Sequence, residues 1–299
     1  MRGDRKMKVS VIGAGKVGST IAYTLLMRRL LDELVLVDIA EERVKGEALD
    51  LRQGQSGLGI NVKITGSSDY SLTAGSDIVI VTAGIGRKPG DSRLDLARKN
   101  SNIMRGIIEK VKVNENGILF IVTNPVDIMT NLALEVSGFD KNRVFGLGTT
   151  LDTVRLWSLL SEEFDIDASS LGVFIIGEHG DSMLPVFSHL GPEFERERLF
   201  KVFENVKVGA ADVIRLKDAT TFAPALAVAE VVESIVNDRG DVLPTSTYHE
   251  DLGVCIGFPS NITRSGAHPI EFELNEEERE KFLKSAEIIK REIGKLQES

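Results

Sequence analysis

Asp152 and Arg155 lie three residues apart in TTLDTVRLW, a spacing that puts both side chains on one face of a helix. Taken alone, two opposite charges so placed are an ordinary surface pair. His179 sits in GEHGDS, at the end of the apolar run LGVFII, and its neighbouring glycines keep other side chains away from it. A lone loop histidine says little. Brought against a carboxylate and an arginine beside a nucleotide, it becomes a proton donor and acceptor with an orienting acid and a cationic clamp for an acidic substrate.

The nucleotide is legible near the N-terminus. VIGAGKVG holds Gly13, Gly15 and Gly18 in GxGxxG spacing, directly after an apolar strand and at the start of a helical stretch. Gly13 permits the tight turn, Gly15 lets the backbone approach a pyrophosphate, and Gly18 lets helix and strand pack closely. The phosphates would then meet the positive end of the helix. A second strand ends in Asp38, about twenty residues past the last glycine, where a carboxylate accepts hydrogen bonds from both ribose hydroxyls. A 2′-phosphate there would face Asp38, Glu41 and Glu42 with only Arg43 to compensate, so NAD is predicted over NADP.

Elements must position these groups. In the first half, short Val- and Ile-rich runs alternate with amphipathic stretches, the pattern of a parallel sheet with crossover helices. Strands are predicted at 8–12, 33–38, 77–84, 118–124 and 144–148, and helices at 16–31, 41–52 and 92–115. Past about residue 148 the pattern changes: a helix carries Asp152, a strand runs into the His179 turn, and 203–238 is one long helical pattern interrupted at Pro224. PTSTYHE, VCIGFPSNI and PIEFEL read as antiparallel strands, and Asn275 caps a final helix. The expectation is an α/β protein: an N-terminal Rossmann domain with a doubly wound parallel sheet over 1–148, and an α+β substrate domain with antiparallel strands over 149–299. No linker separates them, which predicts a large shared interface.

Composition narrows the partners. The chain has 299 residues, 42% hydrophobic and 27% charged, with a formal net charge of -9, which argues against nucleic acid or an anionic membrane as the main partner. A local basic patch for a small acid remains possible. The sole cysteine, Cys255, lies in an apolar run and admits neither an internal disulfide nor a cysteine-rich metal site, so no metal is expected. No signal peptide or membrane span is read, and the expectation is a soluble, cytoplasmic protein.

GAGKVG, LVDIA, VTAG, RKPGDSR, TNPVD, LDTVR, GEHGDS and KDATTFAPA follow one another in the order and approximate spacing of the lactate/malate dehydrogenase family. The chain resembles that family over essentially its whole length, and most of all the malate dehydrogenases that share the lactate dehydrogenase architecture. The resemblance implies His179 as the acid–base residue, Asp152 as the carboxylate that fixes its tautomer, and Arg155 as the two-pronged holder of the substrate's C1 carboxylate. It implies that Arg93, on a closing loop, polarises the reacting carbonyl. Asn124 would lie near the reacting oxygen and the nicotinamide ribose, Thr82, Ala83 and Gly84 would border the nicotinamide, and Thr220 would line the substrate pocket. Lys16, Val17, Asn100 and Val122 complete the cofactor-lining set. Family members of this length are usually tetramers or dimers.

GRKPGDSR, by composition alone an ordinary solvated turn, carries the specificity expectation. In the family the residue before KPG faces the substituent on substrate C3: glutamine goes with lactate, arginine with malate, whose second carboxylate needs a partner. Arg87 therefore predicts malate and oxaloacetate, since a guanidinium sealed opposite a methyl would lose hydration and gain no ion pair. Asp91, an acid more typical of lactate dehydrogenases at that place, could partly neutralise Arg87 and permit weak pyruvate turnover. Trp157 and Gly172 stand where sugar-bisphosphate-activated lactate dehydrogenases carry arginine and histidine, so no such activation is expected. Two other readings stand beside these: lactate as the main substrate, and a catalytically silent NAD-binding sensor or assembly protein. The latter would not need His179, Asp152, Arg155 and Arg93 together. A metal-dependent glycosidase on a related fold is disfavoured by the position of Cys255.

Overall fold

The computed structural model describes residues 6–86 and 93–297. Arg87, Lys88, Pro89, Gly90 and Asp91, and the side chain of Arg93, lie outside the described residues. The chain opens with β1 (Lys8–Ile12), α1 (Lys16–Met27), β2 (Glu33–Val37), α2 (Glu41–Gln55), β3 (Lys63–Ser67) and β4 (Ser76–Val81). It continues through α3 (Arg93–Ile108), β5 (Val113–Ile121), α4 (Val126–Ser137) and β6 (Val144–Gly146). Among the described residues these six strands lie in the parallel order β3-β2-β1-β4-β5-β6. That is the doubly wound order, whose direction of winding reverses between β1 and β4 and leaves a crevice at their carboxyl ends.

The unbroken Val and Ile runs follow from burial on both faces. Alternate residues of each strand enter two separate cores: Val9, Val11, Leu34, Leu36, Ile78 and Ile80 on one side, Ile12, Val35, Val37, Val79 and Val81 on the other. Helix α1 covers the first face through Ile21 and Leu25, and α3 and α4 cover the second through Met104, Ile107, Ile128 and Met129. Ser10 is the buried polar residue of β1, and its hydroxyl is matched by that of Ser76 at 2.7 Å.

The second half comprises α5 (Thr150–Phe164), β7 (Phe174–Ile176), β8 (Leu184–Val186), α6 (Arg196–Lys217) and α7 (Phe222–Asn237). β9 (Asp241–His249), β10 (Val254–Thr263), β11 (Gly266–Pro269) and α8 (Glu276–Gln297) complete it. β9, β10 and β11 pair antiparallel and extend the first sheet, β9 joining β6 at Gly146↔Ser246. Helix α7 packs in the same core as α1, through Val228, Val231 and Val232. The two halves thus share one sheet and one hydrophobic core.

Several expected elements differ. β3 (KITGS) is an unexpected strand: it is short, carries Gly66 and sits at the sheet edge, where its polar residues remain partly exposed. The helix expected to run to 115 stops at Ile108, and 113–117, polar as NENG is, already belongs to β5. The pattern over 203–238 divides into α6 and α7, with Asp218 closing α6 in the left-handed conformation (φ 68°). Pro224 falls in the first turn of α7, where a missing N–H costs nothing, so it begins a helix instead of kinking one. PIEFEL is not a strand beyond Pro269. Asn275 does cap α8: its Oδ1 accepts from the Glu278 N–H at 2.8 Å while Glu278 reaches back to the Asn275 N–H at 3.1 Å.

Candidate active site

The glycine turn is built as its spacing predicts. Gly13 adopts φ +98°, and a Cβ there would lie 2.7 Å from the Ala83 nitrogen; a Cβ on Gly18 would lie 1.8 Å from the Gly13 oxygen. Strand β1 and helix α1 are therefore as close as backbones allow. At Gly15 a Cβ would meet nothing within 4 Å, so the space ahead of the α1 N-terminus is open for a group that must approach the backbone closely. Thr82, leaving β4, donates its hydroxyl to the Gly13 oxygen at 2.9 Å and locks the turn to the next strand.

Asp38 stands just past β2, its carboxylate fixed by the Ala14 N–H at 2.7 Å and the Ala40 N–H at 2.9 Å. Orientation is thereby settled before any ribose arrives. Ile39 beside it is 89% exposed, an apolar surface next to the acid that the sequence reading did not single out. The turn, the open approach and the oriented acid fit a dinucleotide in their chemistry.

Val17, Thr82, Gly84, Asn100, Val122, Asn124, Asp152, Arg155, His179 and Thr220 line one cleft of about 770 Å³. It lies at the carboxyl ends of the parallel strands, as the winding reversal requires. Asn100 is buried and acts as a brace: its side chain accepts from the Ile85 N–H at 2.8 Å and donates to the Asn124 carbonyl at 2.7 Å. Gly13, Gly15, Lys16, Gly18, Asp38 and Ala83 stand at or beside the glycine turn, outside that lining, with Lys16 exposed at the first position of α1.

Within this cleft the Asp152 carboxylate bridges His179 and Arg155. Its Oδ2 lies 2.6 Å from His179 Nδ1 and its Oδ1 accepts from Arg155 Nη1 at 3.2 Å. The placement is enforced from below. Thr149 Oγ1 donates to the Ile175 carbonyl at 2.5 Å, and the Ile175 N–H donates to Thr153 Oγ1 at 2.9 Å, so the first turn of α5 is fastened to β7. β7 then leads through Gly177 (φ +95°), which bonds Gly257 of β10 in both directions, to His179.

Burial disfavours the charged imidazole, but the Asp152 carboxylate outweighs it, so the His179 pKa is raised above its ordinary value. With Nδ1 engaged, Nε2 is the nitrogen left for a substrate. Arg155 spends one donor on Asp152 and keeps the rest of its fork for an anion.

Sequence reading missed much of the cleft wall. Met183, Val206, Lys207, Ala210, Ala211 and Ile214 line it, most of them on α6, where the sequence shows only a long helical pattern. Among the described residues no group of three or more His, Cys, Asp or Glu could hold a metal, and no helix is long and apolar enough to cross a membrane.

A surface for a hydride-carrying dinucleotide on one wall and a paired histidine on the other is the arrangement of a dinucleotide-dependent oxidoreductase. Comparison with known proteins agrees. The family model for the NAD-binding domain of lactate/malate dehydrogenases matches residues 7–146, and that for the family's α/β C-terminal domain matches 149–299. The chain is 41% identical to an L-lactate dehydrogenase of Clostridium perfringens over 97% of this chain and 98% of that one. It is 42% identical to a malate dehydrogenase of Archaeoglobus fulgidus, over 97% of this chain and 99% of that one. A solved malate dehydrogenase of Archaeoglobus fulgidus in complex with NADH superposes with a TM-score of 0.90 at 40% identity, covering 97% of this chain and 100% of that one. The chain belongs to the lactate/malate dehydrogenase family and is an NAD-dependent dehydrogenase of 2-hydroxy acids.

Proposed function

We propose that the enzyme is a malate dehydrogenase, moving a hydride reversibly between NAD(H) and the malate/oxaloacetate pair, with residues 1–148 holding the cofactor and 149–299 completing the substrate site. The observation that carries the choice of substrate is Arg87. Among the described residues the cationic side chains lining the cleft are Arg155 and Lys207, and Lys207 already meets Glu204 at 2.9 Å. With Arg155 on the C1 carboxylate, Arg87 is the cation the sequence offers to a second one.

In this reading bound NADH supplies the hydride, and the chain's residues do the rest. Gly13, Gly15 and Gly18 would admit the pyrophosphate, Asp38 would take the ribose hydroxyls, and the exposed Ile39 would offer an apolar surface beside them. Lys16, Val17, Thr82, Ala83, Gly84, Asn100, Val122 and Asn124 line or brace the remaining path of the cofactor. Protonated His179 donates from Nε2 to the carbonyl oxygen as the hydride arrives, Arg93 steadies the charge developing on that oxygen, and Asp152 keeps the Nδ1 proton in place. Thr220 and Asn124 border the substrate. Tyr23 and Met27 on α1, with Phe222 and Leu226 on the adjoining α7, are exposed apolar residues that suit a dimer or tetramer of this chain.

Lactate as the main substrate is the second reading. The 41% identity to a lactate dehydrogenase favours it, as does Asp91 after KPG. Steady-state kinetics with oxaloacetate and pyruvate on the wild type and Arg87→Gln separate the two. The proposal expects the substitution to lower kcat/KM for oxaloacetate and raise it for pyruvate. An unchanged advantage for oxaloacetate refutes the role of Arg87, and a wild-type preference for pyruvate refutes malate. Weak pyruvate turnover by the wild type is expected from Asp91, and none at all removes that part.

A further inference from the structure

One buried carboxylate near His179 has no part in the chemistry above. Asp127, in the first turn of α4, is 2% exposed and does not line the cleft. Its Oδ2 accepts from the His179 backbone N–H at 2.8 Å, and its Oδ1 accepts from the Ser246 hydroxyl of β9 at 2.6 Å. Three segments distant in sequence therefore meet on one carboxylate.

The helix under it is fastened as well. One turn on, Asn131 accepts from the Cys255 N–H of β10 at 2.9 Å. On the other side of His179, the Glu178 N–H donates to Ser285 Oγ of α8 at 2.8 Å, and Ser182 Oγ donates to Glu178 Oε2 at 2.5 Å. The peptide that carries the imidazole is thus held from both sides, and among the described residues it is the Asp127 bond that reaches the His179 amide itself.

We propose that Asp127 is a second positioning carboxylate for His179, fixing its main chain and setting a negative charge beside the imidazolium that forms during turnover. This rests on His179 being the acid–base residue. The groups that face His179 are Asp152 and Arg155 from α5 and Asp127 from α4; those that face Asp127 are His179 and Glu178 from the turn after β7 and Cys255 from β10. Burial pushes the Asp127 carboxyl up to about 6, opposed by its bonds to Ser246 and His179, so it is ionised through the neutral and alkaline range. Its charge favours protonated His179, as that of Asp152 does.

Asp127→Asn separates charge from geometry. The amide oxygen still accepts from the His179 N–H, the amide nitrogen donates to Ser246 Oγ, and the charge is gone. Reduction of the 2-oxo acid needs protonated His179, so its kcat/KM declines as pH rises through the His179 pKa. In Asp127→Asn that decline is expected at lower pH, making reduction about threefold or more slower on the alkaline side, with the NADH dissociation constant and the acid-side plateau within about twofold of wild type. A pH profile that superposes on the wild type overturns the proposal.

Should Asp127→Asn not fold, Ser246→Ala serves, since the hydroxyl it removes stabilises the ionised carboxyl. It is expected to move the decline in the same direction by less, and an unmoved decline again overturns the proposal. His179→Gln is the control that keeps the two claims apart. Turnover surviving in that variant refutes the acid–base reading, whereas turnover lost there beside an unmoved Asp127→Asn profile refutes only the role of Asp127.

Discussion

Asp152→Asn preserves the shape of a side chain that is only 4% exposed and removes its charge. The carboxylate sits 2.6 Å from His179 Nδ1 and 3.2 Å from Arg155 Nη1. Imidazolium charge is spread over the ring, so the charge centres are about 4 Å apart, where a unit pair in a partly polar site interacts by about 4 kcal/mol. That interaction is present whenever His179 is protonated and absent when it is neutral. An amide has a second effect: its N–H₂, if turned toward Nδ1, requires a lone pair there and moves the proton to Nε2, the wrong tautomer for accepting a proton from an alcohol.

About 4 kcal/mol corresponds to roughly a thousandfold in rate. Reduction of the 2-oxo acid at neutral pH is therefore expected to lose about that factor in kcat/KM. NADH should still bind within about twofold of wild type, because the glycine turn and Asp38 are untouched. The pH dependence supplies the sign. Asp152 raises the His179 pKa, so in the variant reduction fails at lower pH, while oxidation, which needs neutral His179, loses least where the histidine is already deprotonated. Stopped-flow absorbance of NADH across pH measures the rates, and quenching of the single tryptophan, Trp157, follows cofactor binding. A loss below tenfold with the pH limb unmoved refutes the pairing as a catalytic unit.

Gly18→Ala places a methyl 1.8 Å from the Gly13 oxygen, a clash with backbone, so NADH affinity should drop by more than tenfold or the chain should fail to fold; near-wild-type binding by isothermal titration contradicts the close packing. Asp38→Ser removes the carboxylate that a 2′-phosphate would confront, and the ratio of kcat/KM for NADPH to that for NADH should rise at least tenfold, measured at fixed 2-oxo acid. His249 lies edge-to-face with Phe258 at 5.0 Å and Phe282 at 6.2 Å, and burial depresses its pKa from 6.5 to about 4. Its neutral form is the one the fold accepts, so its contribution is full above pH 6.5 and is lost as pH falls through about 4, a difference of about 3 kcal/mol. His249→Phe should flatten the urea-unfolding free energy across that window by about this amount, and an unchanged slope refutes the assignment.

What could be read from the sequence tracks how local the determining physics is. β1 was legible to the residue because KVSVI is buried on both faces and ends at a glycine turn. The capping of α8 by Asn275 was legible because the box is closed within four residues. β3 was not, since half of KITGS is polar and its strand character comes from pairing with β2, a tertiary fact. The division between α6 and α7 was hidden because Asp218 takes a left-handed conformation that no sequence pattern required. The site follows the same rule. The glycines were legible from their turn; spacing put Asp152 and Arg155 on one helix face but by itself left them an ordinary ion pair, because their meeting with His179 is a tertiary contact. Asp127 was present in the TNPVD motif, but its worth lies in contacts with residues 52 and 119 positions away. The α6 wall of the cleft carried no signal beyond ordinary apolar spacing.

The choice of substrate can be tested in one vessel. Oxaloacetate and pyruvate are mixed at equal concentration with limiting NADH and the purified enzyme at neutral pH, and the malate and lactate formed are separated and counted. Their ratio is the ratio of the two kcat/KM values. Malate as the major product, with a minor share of lactate, is the result predicted from Arg87 and Asp91; lactate as the major product contradicts it.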